Sequence, residues 1–297
     1  MRTGWFIVNQ FLNTAKFQEL YEWLIRAAQK QQIHLLLKTN AHFLVRADSG
    51  EVISRDSEQR PDFVLFWDKD IRLARALEKT GLRLFNCADA IEACDDKSLS
   101  AVRLAGIVKM PRTCVAPMTY SNIGYTDFAF LASVERELSY PFVIKECFGS
   151  FGMQVYLAHS GEEAVSILSQ NPGSAYLFQE YIDTSAGRDI RLHIVGGKPV
   201  TAMLRYNEFD FRANITNGGS MSPYKPTASQ IGLAQEVCHA LRLDFAGVDI
   251  LFGEQDEPIL CEVNSNAHFK NIYDCTGVNV ADAIMSYIDE ELDRCAH

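Results

Sequence analysis

Asp249 in "FAGVDILF" and Glu262 in "PILCEVNSNAHFKN" are the two carboxylates whose spacing points most directly to chemistry. Both segments read as strands joined by the turn "GEQDEP", and reflecting the chain about a symmetric turn over residues 253–258 carries Asp249 onto Glu262. The same reflection sets Asn264 opposite Gly247. Strand alternation puts Leu260, Glu262 and Asn264 on one face, and Ile259, Cys261 and Val263 on the other. Like charges opposed across an antiparallel pair repel, so a cation is expected between them unless one carboxyl is protonated. Asp249, Glu262 and the amide oxygen of Asn264 form an oxygen-only set that suits Mg²⁺, with Mn²⁺ as an alternative. A Zn²⁺ site fits less well, since His268 has no His or Cys companion at ligand spacing. An ordinary surface hairpin is the competing reading, and the apolar opposite faces count against it.

In "VIKECFGSFGMQV" Lys145 ends one strand, and Gly149 and Gly152 bracket Ser150 and Phe151 before the next. Bare backbone N–H groups at such a tip can cradle phosphate oxygens, with Lys145 as a point charge. It is not a P-loop, because no G-K-[ST] and no helix follow, and an ordinary glycine turn fits the fragment equally well. "GRDIRLHIVGGKPVTAMLR" reads as a hairpin with Asp189, Arg191 and His193 on one face and Arg205 closing its second strand. That face either lines an anionic cleft or is solvated. The aperiodic "RYNEFDFRANITNGGSMSP" carries Arg212, Asn214 and a glycine pair, a composition that loops use to hold anions. Together these pieces suggest nucleoside triphosphate chemistry.

These residues need rigid elements behind them. "GWFIVNQ", a helix over residues 14–31, "IHLLLK", "PDFVLFWD", a helix in "DIRLARALEKT" and "GLRLFN" alternate as a parallel α/β unit does, up to about residue 95. An α+β segment follows, with strands "PFVIKE", "MQVYLA" and "AYLFQEYI" and a helix in "GEEAVSILSQN". Residues from 184 are rich in hairpins and close with a helix from Val280 to Arg294. The expected division is 1–95, 96–183 and 184–297. In "FWDKD", Asp68, Lys69 and Asp70 end a strand of the first unit, where α/β sheets bind ligands, so they are candidates for touching a substrate; Asp70 fits a helix cap as well.

The 297 residues, 47% of them hydrophobic, allow two or three compact units. A net charge of −10 argues against broad affinity for nucleic acid or anionic membranes. No apolar run is long enough for a span and no signal-peptide pattern opens the chain, so a cytoplasmic protein is expected. The eight cysteines are scattered, without a C-x-x-C pair, and read as reduced packing residues. A homo-oligomer is compatible with all of this.

In order and content, "DDKSLSAVRLAGIVKMPRT", "PFVIKECFGSFGMQVYL", "FQEYI", "GRDIRLHIVGGKPVTAMLR", "FRANITNGG", "GVDIL", "CEVN" and "TGVNVADAI" resemble the ATP-grasp superfamily, in particular the RimK-type carboxylate–amine ligases that add glutamate or another amino acid to a carboxyl end. The resemblance covers about residues 95 to 284. It implies an ATP-grasp fold, α/β and α+β, behind an amino-terminal β-α-β domain. It implies that Lys97 and Lys145 contact ATP phosphates under a loop with Gly149, Ser150 and Gly152. It further implies that the backbone around Glu180, Tyr181 and Ile182 receives adenine, that Asp189 lies on the nucleotide side and that Arg212 and Asn214 belong to the "FRxN" stretch. Asp249, Glu262 and Asn264 match the magnesium ligands. The implied reaction phosphorylates a carboxylate and lets an amine attack the acyl phosphate; Arg212 and Arg191 are the candidates for charge stabilisation and carboxylate binding. After "EVN" the chain departs from the family, with Ser265-Asn266-Ala267-His268-Phe269 in place of a small residue, Pro and Gly. That departure, which continues to Lys270, leaves the acceptor open. A ligase acting on a peptide or secondary metabolite, and an ATP-binding regulator without turnover, are the alternatives.

Overall fold

The computed structural model describes residues 1–12, 14–55, 59–149 and 152–295. Its first unit contains β1 (Thr3–Val8), α1 (Ala15–Lys30), β2 (His34–Thr39), β3 (Phe43–Val45), β4 (Val52–Ser54), β5 (Phe63–Trp67), α2 (Ile71–Lys79), β6 (Leu84–Phe85) and α3 (Ala88–Asp95), after which α4 (Lys97–Leu104) leads on. Four of these strands form a parallel sheet in the order β2-β1-β5-β6. β5 is buried along its whole length, as its unbroken apolar run requires of a central parallel strand. The small β3–β4 hairpin is not among the expected strands, since three-residue strands carry little periodic signal.

The middle unit contains β7 (Thr113–Val115), α5 (Leu131–Glu137), β8 (Phe142–Glu146), β9 (Val155–Ala158), α6 (Gly161–Gln170) and β10 (Tyr176–Glu180). Its antiparallel sheet has the order β7-β10-β8-β9. Phe142, Ile144, Tyr176 and Phe178 bury the inner face against α5 and α6.

The third unit contains β11 (Arg188–Val195), β12 (Lys198–Tyr206), β13 (Ser220–Tyr224), α7 (Ala228–Ala240), β14 (Phe245–Phe252), β15 (Pro258–Asn264), α8 (Lys270–Thr276) and α9 (Val280–Cys295). The antiparallel order is β13-β12-β11-β14-β15. One face, with Ile190, Leu192, Val248 and Ile250, packs on α7. The expected hairpins gave no place to α7, although Thr227 and Gln230 form a capping box legible as T-x-x-Q. α9 packs beside α1, and its Ile284, Met285 and Ile288 join the core that contains Phe6 and Leu65 of the parallel sheet. The described cysteines are free, and among the described residues no helix is long and apolar enough to cross a membrane.

Candidate active site

β14 and β15 pair with Asp249 opposite Glu262 and Gly247 opposite Asn264, as expected, but the turn is centred on residue 255, half a residue before the expected midpoint. Phe252 pairs with Pro258 and Ile250 with Leu260, so the register slips by one residue between Asp249 and Ile250. The extra residue is Cys261. This bulge corrects the expected alternation: Leu260 joins Val263 in the core against α7, whereas Cys261 turns to the side of Lys145, whose Nζ lies 4.0 Å from Cys261 Sγ. Burial pushes the Cys261 thiol up to about 11, with Lys145 opposing it, so it remains neutral. The space above Gly247, opposite Asn264, is filled by Ala267: a Cβ on Gly247 would stand 2.6 Å from Ala267 Cβ.

Asp249, the carboxylate opposite Glu262, also has two protein cations beside it. Asp249 accepts from Arg191 Nε and Nη2 at 2.7 and 2.6 Å, and Arg205 Nη2 lies 2.9 Å from its Oδ2. Arg205 in turn donates to both oxygens of Asp189 at 2.6 Å. Burial opposes ionisation of Asp249, but two guanidinium groups outweigh it and hold its carboxyl at about 2. Among the described residues Asp189 is paired with Arg205 alone, and burial pushes its carboxyl up. Arg205 is thus the centre of a buried network, though alternation alone marks it only as one member of a polar face.

Glu262 and Asn264 remain uncommitted. Among the described residues Glu262 has its ionic contact with Lys97 Nζ, at 3.8 Å, and no hydrogen bond claims the Asn264 side chain, whose Nδ2 is buried. Asp249 Oδ1 accepts from Arg191 Nε and, among the described residues, keeps a free lone pair. Among the described residues no three His, Cys, Asp or Glu side chains cluster, so a metal here needs the Asn264 amide. Two carboxylates and an amide with free oxygen lone pairs fit a hard cation such as Mg²⁺.

Two clefts meet at this point. The first, about 880 Å³ with its open mouth included, lies between the middle and third sheets. It is lined by Lys97, Lys145, Gly149, Gly152, Glu180, Tyr181, Ile182, Asp189, Arg212, Asn214, Asp249 and Glu262. All the expected nucleotide-side residues therefore come together except Ser150, which lies outside the described residues. Gln179, Arg188 and Cys261 also line it, without a sequence signal that singled them out.

Local structure explains several placements. Asp96 accepts from the backbone N–H groups of Ser98 and Leu99, so α4 begins with Lys97, whose Nζ donates to Gly149 O at 3.0 Å. Arg212 is fixed by Asp210 and donates through Nη1 to Gly152 O at 2.9 Å and Val155 O at 3.2 Å, tying the glycine loop to the third unit. The Glu180 side chain turns outward to Arg112, leaving its backbone at the cleft.

The second cleft, about 1860 Å³ including open space, runs between the parallel sheet and the "NSNAHF" segment. It shares Gly152, Arg205, Asn214 and Glu262 with the first and adds Arg191, Asn264, Asp68, Lys69, Asn266 and His268. Lys16 and Phe17 of α1 also line it, a neighbourhood with no sequence signal because Lys16 stands 252 positions from His268. Two expected members do not. Lys270 lies on the outer side, paired with Glu19 and Asp274, and Asp70 caps α2 by accepting from Leu73 N at 3.1 Å.

Residues 104–288 match the RimK-like ATP-grasp domain. The chain is 34% identical over 238 residues to β-citrylglutamate synthase B of Danio rerio, a match covering 76% of this chain but 56% of that protein. It is 34% identical over 223 residues to a probable alpha-L-glutamate ligase of Syntrophotalea carbinolica, covering 73% of this chain and 71% of the other. In fold it is similar to D-alanine–D-alanine ligase of Bacillus anthracis solved with ATP, at TM-score 0.70 and 16% identity over 99% and 98% of the two chains. The paired clefts, the tethered glycine loop and these matches agree: the chain belongs to the RimK-like ATP-grasp family of ATP-dependent carboxylate–amine ligases.

Proposed function

We propose that the first cleft takes ATP, that the second takes a carboxylate and an amine such as glutamate or another amino acid, and that the reaction runs where they meet. The observation that carries this reading is the sharing of Gly152, Arg205, Asn214 and Glu262 by both clefts. Phosphoryl transfer requires the acid to face the terminal phosphate, and the shared rim is the place for that encounter.

In this reading Lys97 and Lys145 bind phosphate oxygens, and the loop bearing Gly149 and Gly152 covers them. The backbone from Glu180 to Ile182 receives adenine, and Asp189 and Asn214 complete the nucleotide side. Asp249, Glu262 and Asn264 would hold Mg²⁺, which neutralises phosphate charge when bound. An oxygen of the substrate carboxylate attacks the terminal phosphorus while the bond to ADP breaks. The amine nitrogen, in its neutral form, then attacks the acyl carbon, the bond to the phosphate oxygen breaks, and phosphate leaves with the electron pair and takes up the proton that the nitrogen gives up. Arg212 and Arg191 stabilise the charge that develops on the transferring group and the acid. In this reading the three larger sheets mark units 1–95, 96–183 and 184–297, and closure between the second and third would exclude water from the acyl phosphate.

A second reading, ligation of a peptide or a larger metabolite, is favoured by the open groove that continues from the second cleft past Asn9, Lys69 and Asp95 to Phe148. ADP release over a panel of acids, amino acids and short peptides tests both readings, with Asp249→Asn and Glu262→Gln as controls. Turnover with amino acids supports the first and turnover confined to peptides the second. Unchanged turnover in both controls overturns the metal assignment, and tight ATP binding without ADP formation across the panel points to a regulator.

A further inference from the structure

Acidic and basic side chains both line the second cleft. Asn9 and Asp68 follow β1 and β5, at the carboxyl edge of the parallel sheet, where open α/β sheets bind ligands. Asn9 Oδ1 accepts from Phe11 N at 2.9 Å, which aims Nδ2 at both oxygens of Asp68, at 3.1 and 3.3 Å. Lys69 N donates to Asp68 Oδ1 at 2.7 Å. Asp68 is 7% exposed, and among the described residues no cationic side chain contacts it. The Lys69 ammonium is turned to Asp95 instead. A buried carboxylate with only neutral donors is costly, and burial pushes its carboxyl up.

A second acceptor beside it lacks a donor. Asn266 Nδ2 donates to Asp68 O at 3.3 Å, and since a carbonyl can only accept, this contact fixes the orientation of the amide. Among the described residues Asn266 Oδ1 is left buried without a partner. Asp68 Oδ2 has a long contact from Asn9. Two under-used acceptors in one cleft suit a group with several N–H donors.

Lys16 and Arg191 also line this cleft. Arg191 keeps its Nη1 beyond the two bonds to Asp249, and burial followed by the Arg191 charge lowers the Lys16 ammonium from its ordinary value. His268 is not a third cation, because burial pushes its ring down to about 4. It donates from Nε2 to Lys16 O at 3.2 Å and packs edge-on to Phe17, holding the first turn of α1 at the cleft.

We propose that Asp68 and Asn266 form an ammonium site, which takes the –NH₃⁺ of an α-amino acid whose carboxylate meets Arg191 in the same cleft. The site selects zwitterions over simple amines. Taking this amino acid as the amine substrate rests on the ligase reading above; the binding itself does not.

Titration calorimetry with each of the twenty L-amino acids, on the full chain with ADP present, tests the site. At least one amino acid binds, Asp68→Asn weakens it by about tenfold or more, the scale of one charge-assisted hydrogen bond, and the matching amine without its carboxylate binds as weakly. ADP affinity unchanged in Asp68→Asn shows that the variant is folded; otherwise Asn266→Ala is read in its place, with the same expected direction. Binding of no amino acid, or equal binding by the variant, overturns the proposal. ADP release measured in parallel separates the two ideas. Amino-acid binding without turnover sinks the ligase reading alone, and turnover whose amine KM ignores Asp68→Asn sinks the ammonium site alone.

Discussion

Arg205 lies between Asp189 and Asp249, donating twice to the first and once to the second, with its side chain 4% exposed. Among the described residues Asp189 has no other ionic partner within contact, whereas Asp249 also has Arg191. Replacing Arg205 by Met therefore strands one buried carboxylate and weakens the hold on another. The expected loss is about 3–5 kcal/mol of unfolding free energy. Adding Asp189→Asn to Arg205→Met should recover a large part of it, because the stranded charge is then gone. Urea unfolding of the single and double variants reads both values.

Glu262 gives the opposite result. Its side chain is 29% exposed and its contact with Lys97 is as long as 3.8 Å, so Glu262→Gln should leave stability within about 0.5 kcal/mol. If it holds the metal, turnover falls on the order of 10²-fold, and chelation of divalent cations abolishes what remains until Mg²⁺ is restored. Melting temperature and ADP release, measured on one preparation, separate a functional group from a structural one.

Gly152 has φ +70°, and a Cβ there would lie 2.6 Å from Asn214 Oδ1. Gly152→Ala thus displaces the loop from the residue shared by both clefts, and also strains the contact between Gly152 O and Arg212. Misplacing the loop by about 1 Å predicts a fall in kcat on the order of 10²-fold, with little change in melting temperature. Equal kcat in the variant would show that the loop does not position the phosphates.

His193 is buried on β11, its Nε2 is without a partner among the described residues, and burial pushes its ring down to about 3. The unfolded chain takes up a proton near pH 6.5 that the folded chain refuses. Its contribution is therefore intact above about pH 6.5 and is lost as pH falls towards 3, with a slope of about 1.4 kcal/mol per pH unit from this group. Denaturant midpoints between about pH 7 and 5 should decline, and His193→Gln should flatten the decline.

Much of the site was readable because its signals are local. Glycines at a strand tip and alternation in "RDIRLHIV" each depend on neighbours within a few residues. The facing of Asp249 and Glu262 was readable too, although Cys261 bulges by one residue to bring it about, and no local pattern marks that bulge. Symmetry of the turn therefore yielded the right pair and the wrong face for Leu260.

What the sequence determined by itself is the order of the elements, the oxygen donors that Asp249, Glu262 and Asn264 offer and the family resemblance, all carried by short-range periodicity and spacing. Tertiary structure alone decided that Arg205 neutralises Asp189 and, with Arg191, pairs with Asp249. It also decided that Lys270, close to Asn264 in the chain, faces outward, while Lys16 reaches the cleft from the other end of the sequence. Such choices depend on which charges burial forces together, and burial is a property of the packed sheets rather than of any one segment.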